Sequence, residues 1–321
     1  MKKTLITGAT GFIGKALCLR MLRENWQVLG AVRTLSDQER LPLGVKAVPI
    51  GSIGPDTLWN SSLERVDIVV HLAARTHVTR EMHDDPLKAY RSINVEGTAR
   101  LAREAAASGV KRFLYLSSVK VNGEGRALPY SELDMPAPED PYGISKWEAE
   151  QVLHSIEKET GMEVVIIRPP LVYGPGVKAN FLALLRAINR GLPLPLSRIQ
   201  NRRSLIYVGN LVDAIVACVT YQSAAGKTYL ISDGEDVSTP ELIRKISTSL
   251  ERPVRVAPFP IQLMRLVGKL SGKSSAIDRL IGSLIIDSSK IQQELNWRPP
   301  YTMAQGLKET TEWFLNDSVK C

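Results

Sequence analysis

The chain offers little thiol chemistry. Three cysteines in 321 residues, Cys18, Cys218 and Cys321, are too few and too far apart for a metal cluster or a disulfide framework, and they fit a reducing cytoplasm. No apolar run approaches the roughly 20 residues that a membrane span requires. Met1-Lys2-Lys3 leads straight into an apolar stretch and leaves no room for a signal peptide, so a cytoplasmic location is expected. The sequence contains no internal repeat and no low-complexity tract. Acid is in slight deficit, 33 residues against 41 basic ones, for a formal charge of +8. The basic residues are scattered apart from short pairs such as Lys2-Lys3 and Arg202-Arg203, which argues against nucleic acid and for a small anionic partner.

What is present starts at Leu5. Leu5-Ile6-Thr7 reads as a buried strand, and Gly8, Gly11 and Gly14 follow at Gly-x-x-Gly-x-x-Gly spacing. Ile13, Leu17 and Met21 then recur every fourth residue as one helical face. In a nucleotide-binding βαβ unit the first glycine permits a tight turn, the second lets backbone approach a pyrophosphate, and the third lets the helix lie close on the strand. Thr10, Phe12 and Ile13 complete the turn, whose helix N-terminus offers N–H groups to phosphates. An α/β fold with a Rossmann-type doubly wound parallel sheet is expected. Residues 1–170 would form the NAD(P)-binding domain, 204–222 would return to it, and 171–321 would build most of a smaller, interleaved α/β substrate domain.

Further strands are read at 27–32, 45–49, 66–72, 112–116 and 164–167, with a helical pattern over 85–108. In NAD-selective units an acid about 20 residues past the glycines holds the ribose 2′-hydroxyl. That acid is missing here: Val32-Arg33-Thr34 stands in its place, with Ser36 close behind. A guanidinium suits a 2′-phosphate, so NADP(H) is favoured, with NAD(H) the alternative. Ser52 and Ile53 fall beside the adenine, and Leu72, Ala73 and Ala74 follow strand four into the cofactor cleft. His71 at that strand end reads as a packed histidine lining the cleft rather than a catalyst.

The fifth strand delivers Ser117-Ser118 to the carboxyl edge of the sheet, where ligands of open α/β folds lie. After a proline- and acid-rich loop over 123–141, Tyr142-Gly143-Ile144-Ser145-Lys146 opens a helix reaching about residue 160. Tyr142 and Lys146 share one face, about one turn apart. A phenol ordinarily titrates near 10, and a fixed ammonium beside it stabilises phenolate and brings it toward working range. Ser118 can supply a second hydrogen bond to the reacting oxygen. Proline and glycine over 168–176 stop regular structure. Helices are expected at 180–189 and 210–221, with another opened by Thr239-Pro240 as cap and first-turn proline. A last strand is expected at 284–286 and a helix at 288–295.

Together with His71-Leu72-Ala73-Ala74, Asn94 to Thr98, Arg168 to Gly174, Arg203 to Asp213 and Asp287 to Trp297, these pieces resemble the extended short-chain dehydrogenase/reductase family. The likeness is to its NAD-dependent epimerase/dehydratase branch, which acts on nucleotide sugars, and it spans nearly the whole chain. It implies that Tyr142 is the general acid/base, that Lys146 holds the nicotinamide ribose and tunes Tyr142, and that Ser118 binds the reacting oxygen. Asn94 and Pro169 join the cofactor set, while Asn180, Arg203 and Arg279 match diphosphate contacts. The partner implied is a UDP- or dTDP-linked hexose, and the assembly a homodimer through 86–108 and 143–160.

Departures from the family pattern bear on the reaction. No Asp-Glu pair follows Ser118, which argues against dehydration. Where sugar 4-epimerases usually show Ser-Ser-x-x-Val-Tyr-Gly, this chain has Ser117-Ser118-Val119-Lys120-Val121-Asn122-Gly123, making Lys120 a candidate substrate contact. That pattern looks like bacterial surface-polysaccharide enzymes that reduce a UDP-4-keto-6-deoxy-hexose. Reduction at hexose C4 by NADPH is therefore expected, with a UDP-hexose 4-epimerase carrying tightly bound NAD as the alternative. A non-catalytic dinucleotide-sensing regulator is a distant third.

Overall fold

Short runs of Val, Ile and Leu buried on both faces are what a parallel sheet covered on both sides requires. Five such runs occur: Lys3–Thr7 (β1), Gln27–Val32 (β2), Ile68–His71 (β4), Arg112–Leu116 (β5) and Glu163–Arg168 (β6). The computed structural model describes residues 2–76, 85–126, 128–270 and 274–318. With Lys46–Pro49 (β3) and Thr228–Leu230 (β9) they form a seven-stranded sheet, ordered β3-β2-β1-β4-β5-β6-β9, in which all pairs are parallel. Alternate residues of each strand feed opposite layers. Leu5, Val69 and Phe113 pack with one set of helices, Ile6, Val70 and Leu114 with the other.

The first layer holds Pro86–Arg91 (α2), Thr98–Ala107 (α3) and Pro141–Thr160 (α4), and the second holds Phe12–Arg23 (α1) and Val208–Thr220 (α6). The helical pattern expected over 85–108 is broken by a π-turn at Ser92–Gly97 between α2 and α3, which buries Asn94 to 1% exposure. The helix α4 begins with the Asp140 side chain accepting from Gly143 N at 2.7 Å, with Pro141 in the first turn, and ends at Gly161 with φ +73°.

A second sheet lies beyond. Leu171–Tyr173 (β7) pairs in parallel with Arg203–Tyr207 (β8), which pairs antiparallel with Asp236–Val237 (β10). Ala179–Asn189 (α5), Thr239–Ser249 (α7), Ile261–Leu270 (α8), Ser274–Ile281 (α9), Ser289–Leu295 (α10) and Met303–Ser318 (α11) complete the chain. Of residues 204–222, α6 packs on the large sheet, whereas β8 belongs to the small one.

Three expectations need correction. Residues 168–176 contain β7, a strand of three residues too short for periodicity and framed by prolines and glycines. The segment 284–286 forms only isolated bridges, Arg203 to Leu284 and Tyr130 to Ile286, because it changes partner every second residue. The cap of α7 is Ser238, closing a capping box with Glu241, which shifts Thr239 and Pro240 into the first turn. Among the described residues, no helix is long and apolar enough to cross a membrane, and no cluster of His, Cys, Asp or Glu could hold a metal ion.

Candidate active site

A wholly parallel sheet puts every strand's carboxyl end on one edge, so residues remote in sequence meet there. At β1 the glycine turn is bare backbone. Gly8 has φ +69°, a Cβ on Gly14 would lie 2.1 Å from the Gly8 carbonyl oxygen, and one on Gly8 would lie 3.0 Å from Ala73 N. Gly11 caps α1 with no side chain, so the first N–H groups of α1, at Phe12 and Ile13, face outward beside Thr10. That closeness of bare backbone to a helix N-terminus fits the pyrophosphate of a dinucleotide. Leu72, Ala73 and Ala74 run against the turn, with Ala73 N donating to Thr7 Oγ1 at 3.1 Å.

His71 is a packing group, as expected. It is 1% exposed, bonded to Thr7 Oγ1 at 2.6 Å and Thr98 Oγ1 at 3.0 Å, and pulled down to about 3 by burial and then by the Lys146 charge. The π-turn aims Asn94 at the segment after β4, where its amide bonds both backbone groups of Arg75 at 2.8 and 3.0 Å. It also donates to Ser145 Oγ on α4 at 2.9 Å.

Ser118, Tyr142 and Lys146 converge at the ends of β5 and α4. The Tyr142 hydroxyl bonds Ser118, and its ring lies 5.9 Å from Lys146 Nζ. Lys146 is 1% exposed and donates to Leu116 O at 2.7 Å and Tyr115 Oη at 3.1 Å. Burial pulls its ammonium down to about 7, against a smaller opposing pull from Glu150.

The expectation for Tyr142 is reversed in direction. Burial, then Asp140 and Tyr90, push its phenol above the ordinary range, and the Ser118 bond only partly offsets them. The reason is geometric: the Lys146 ammonium points at strand β5 rather than at the Tyr142 hydroxyl.

Behind Lys146 lies a network that sequence reasoning missed. Glu150, fully buried one turn further along α4, takes two hydrogen bonds from Arg168 at 3.0 and 2.5 Å and one from Ser117 Oγ. Arg168 also donates to Asn122 Oδ1 at 3.0 Å. Tyr90 meets Tyr142 edge-on at 6.3 Å and is likewise a neighbour without a motif of its own. The four-residue step from Lys146 to Glu150 on one helical face was the available signal.

The remaining residues are spread along the same edge or beyond it. Arg33 is exposed just past β2, and Ser52 and Ile53 follow β3, with Ile53 against Gly97 of the π-turn. Pro169 O accepts from Val119 N at 3.0 Å and so holds the Ser118 turn. Lys120, expected at the substrate, pairs with Asp140 and with Glu124 at 2.9 Å. Asn180 is exposed in the first turn of α5. Arg203 donates to Gly282 O at 2.8 Å, and its neighbour Arg202 ion-pairs Asp236 at 3.5 Å. The Arg279 side chain lies outside the described residues.

A buried phenol bonded to a serine, with a lysine one helical turn away and a turn shaped for pyrophosphate beside them, fits a dinucleotide-dependent alcohol–ketone oxidoreductase. Residues 4–232 match the NAD dependent epimerase/dehydratase family, and the chain belongs to that family. A UDP-glucose 4-epimerase of Vibrio cholerae is 45% identical over 98% of this chain and 96% of its own length. A GDP-6-deoxy-D-mannose reductase of Pseudomonas aeruginosa is 27% identical over 96% and 95%. The fold is shared with UDP-glucuronic acid 4-epimerase from Bacillus cereus in complex with NAD, at a TM-score of 0.80 and 22% identity, covering 97% of this chain and 96% of that one.

Proposed function

We propose that this protein oxidises and reduces C4 of a UDP-linked hexose with NAD(P), and that its net reaction is 4-epimerisation. The observation that carries the reading is the meeting of Tyr142 with Ser118 and, one helical turn away, Lys146, at the carboxyl edge of β5. Tyr142 exchanges a proton with the C4 oxygen, while Ser118 donates a hydrogen bond to the same oxygen and limits the charge it must carry. Lys146 supplies the cation of the site, and Glu150 and Arg168 hold the helix face that presents it. A bound nicotinamide would supply the hydride acceptor and donor. Asn94, Pro169, Leu72 and the glycine turn are the residues to hold that cofactor, and Asn180, Arg203 and Arg279 those to meet the sugar diphosphate. The 45% identical epimerase supports this net reaction over reduction.

Reduction of a UDP-4-keto-6-deoxy-hexose is the second reading, favoured by Lys120 and Asn122 in the segment after Ser118 and by Arg33 where NAD-selective chains carry an acid. Purified protein given UDP-glucose should form the C4 epimer with no lasting change in nicotinamide absorbance. Stoichiometric bleaching of NADPH with a UDP-4-keto sugar would favour the second reading, and turnover of neither would overturn both. NADP(H) selectivity is read by Arg33→Ala, which should weaken NADPH binding about tenfold or more and leave NADH alone. A homodimer through α3 and α4 is proposed as well, and size-exclusion chromatography giving only monomer at working concentration would remove it.

A further inference from the structure

Ser118 and Tyr142 come from separate elements, and one side chain ties those elements together. Lys120 stands two residues after Ser118 on the turn Val119–Val121, and Asp140 stands two before Tyr142 as the cap of α4. The Lys120 ammonium pairs with Asp140 Oδ2, while Asp140 Oδ1 accepts from Gly143 N at 2.7 Å. Glu124 adds a second carboxylate 2.9 Å from the same ammonium. One more feature presses the turn onto the helix, and another orders the turn itself. A Cβ on Gly143 would fall 2.9 Å from the Lys120 carbonyl oxygen, so only glycine permits this approach. Lys120 N lies 3.3 Å from Ser118 Oγ and donates to it, which leaves the hydroxyl proton of Ser118 to point at Tyr142.

We propose that Lys120 is a positioning residue, whose bridge to Asp140 fixes the Ser118 turn on the first turn of α4 and offsets part of the carboxylate charge beside the reacting phenol. This rests on Tyr142 being the acid/base toward a UDP-hexose. The charged and titratable groups around Tyr142 are Asp140 and Lys146 on its own helix, Tyr90 from α2 with Arg75 over that ring, and Tyr115 from β5. Among the described residues, Lys120 and Glu124 complete the set from the turn and the loop after it. Removing Lys120 takes away the ammonium that Asp140 and Glu124 share on one side of this set, and negative charge beside a phenol disfavours phenolate.

The test is the pH profile of kcat/KM with UDP-hexose for wild type, Lys120→Met, Asp140→Asn and the double variant, alongside crystal structures of wild type and Lys120→Met. Lys120→Met should move the ascending limb up by about one pH unit, an approximately tenfold loss at neutral pH. Asp140→Asn, whose amide still caps α4, should move the limb down, and the double variant should return it to the wild-type position. Lys120→Arg should keep the limb in place. In the Lys120→Met crystal structure the Ser118–Tyr142 hydrogen bond should be lengthened or lost. An unmoved limb with that bond intact overturns the proposal, and so does a rise in KM alone, which would make Lys120 a direct sugar contact. Wild-type protein that turns over no UDP-hexose overturns the functional reading instead, and the Ser118–Tyr142 distance, which needs no substrate, then decides the bridge by itself.

Discussion

Two lysines bracket Tyr142, and they live in opposite surroundings. Lys146 is buried, touches a backbone carbonyl and a phenol, and is pulled down to about 7. Lys120 is 17% exposed at its side chain and meets two carboxylates. The first arrangement is poor for stability and good for chemistry, because a charge held in a low-dielectric site acts strongly on whatever enters beside it. The second is cheap to maintain and serves geometry. The molecule concentrates its energetic cost in the buried lysine and secures the neighbouring turn with ordinary pairs.

The contrast can be broken at its centre first. Tyr142→Phe should lower turnover by about 10²–10⁴-fold while leaving the fold and nucleotide affinity in place, measured by steady-state kinetics beside calorimetric binding. A protein that still turns over normally would put the acid/base elsewhere. Next is the support behind Lys146: Glu150→Ala strands the Arg168 guanidinium in the core and should cost about 3–5 kcal/mol in denaturant unfolding.

A smaller effect of opposite sign is expected at Lys146 itself. Because its folded pKa is depressed from 10.5 to about 7, the unfolded chain binds the extra proton between those values, so this group makes stability rise with pH through that window. Below about pH 7 the penalty is complete. Lys146→Met should therefore raise Tm, most at pH 6–7 and hardly at all near pH 10.5, while abolishing turnover. A Tm gain independent of pH would show that packing, not charge, is responsible. The smallest effect belongs to the partly exposed pair: Lys120→Met should change unfolding free energy by under about 1 kcal/mol, whatever it does to the pH profile.

Much of this was readable from residues alone. The glycine spacing, the buried strand runs and the Tyr-x-x-x-Lys step are local patterns, and local patterns survive as sequence. The seventh strand Thr228–Leu230 and the three-residue β7 were not readable, and the partner-switching segment at 284–286 read as a regular strand, because each is decided by partners far along the chain. The same holds for Lys120. The altered segment after Ser118 marked it as unusual, but Asp140 is 20 residues away and only the folded loop brings the two together.

Tyr142 gives the sharpest division. Its place beside Lys146 follows from helical periodicity, which is intrinsic to the backbone, and so the sequence determined that neighbour. The direction in which its proton affinity moves depends on burial and on where the ammonium points. Those are properties of packing between α4, α2 and β5, and only the tertiary structure decided them, because solvent exclusion is a collective result of elements that no single stretch contains.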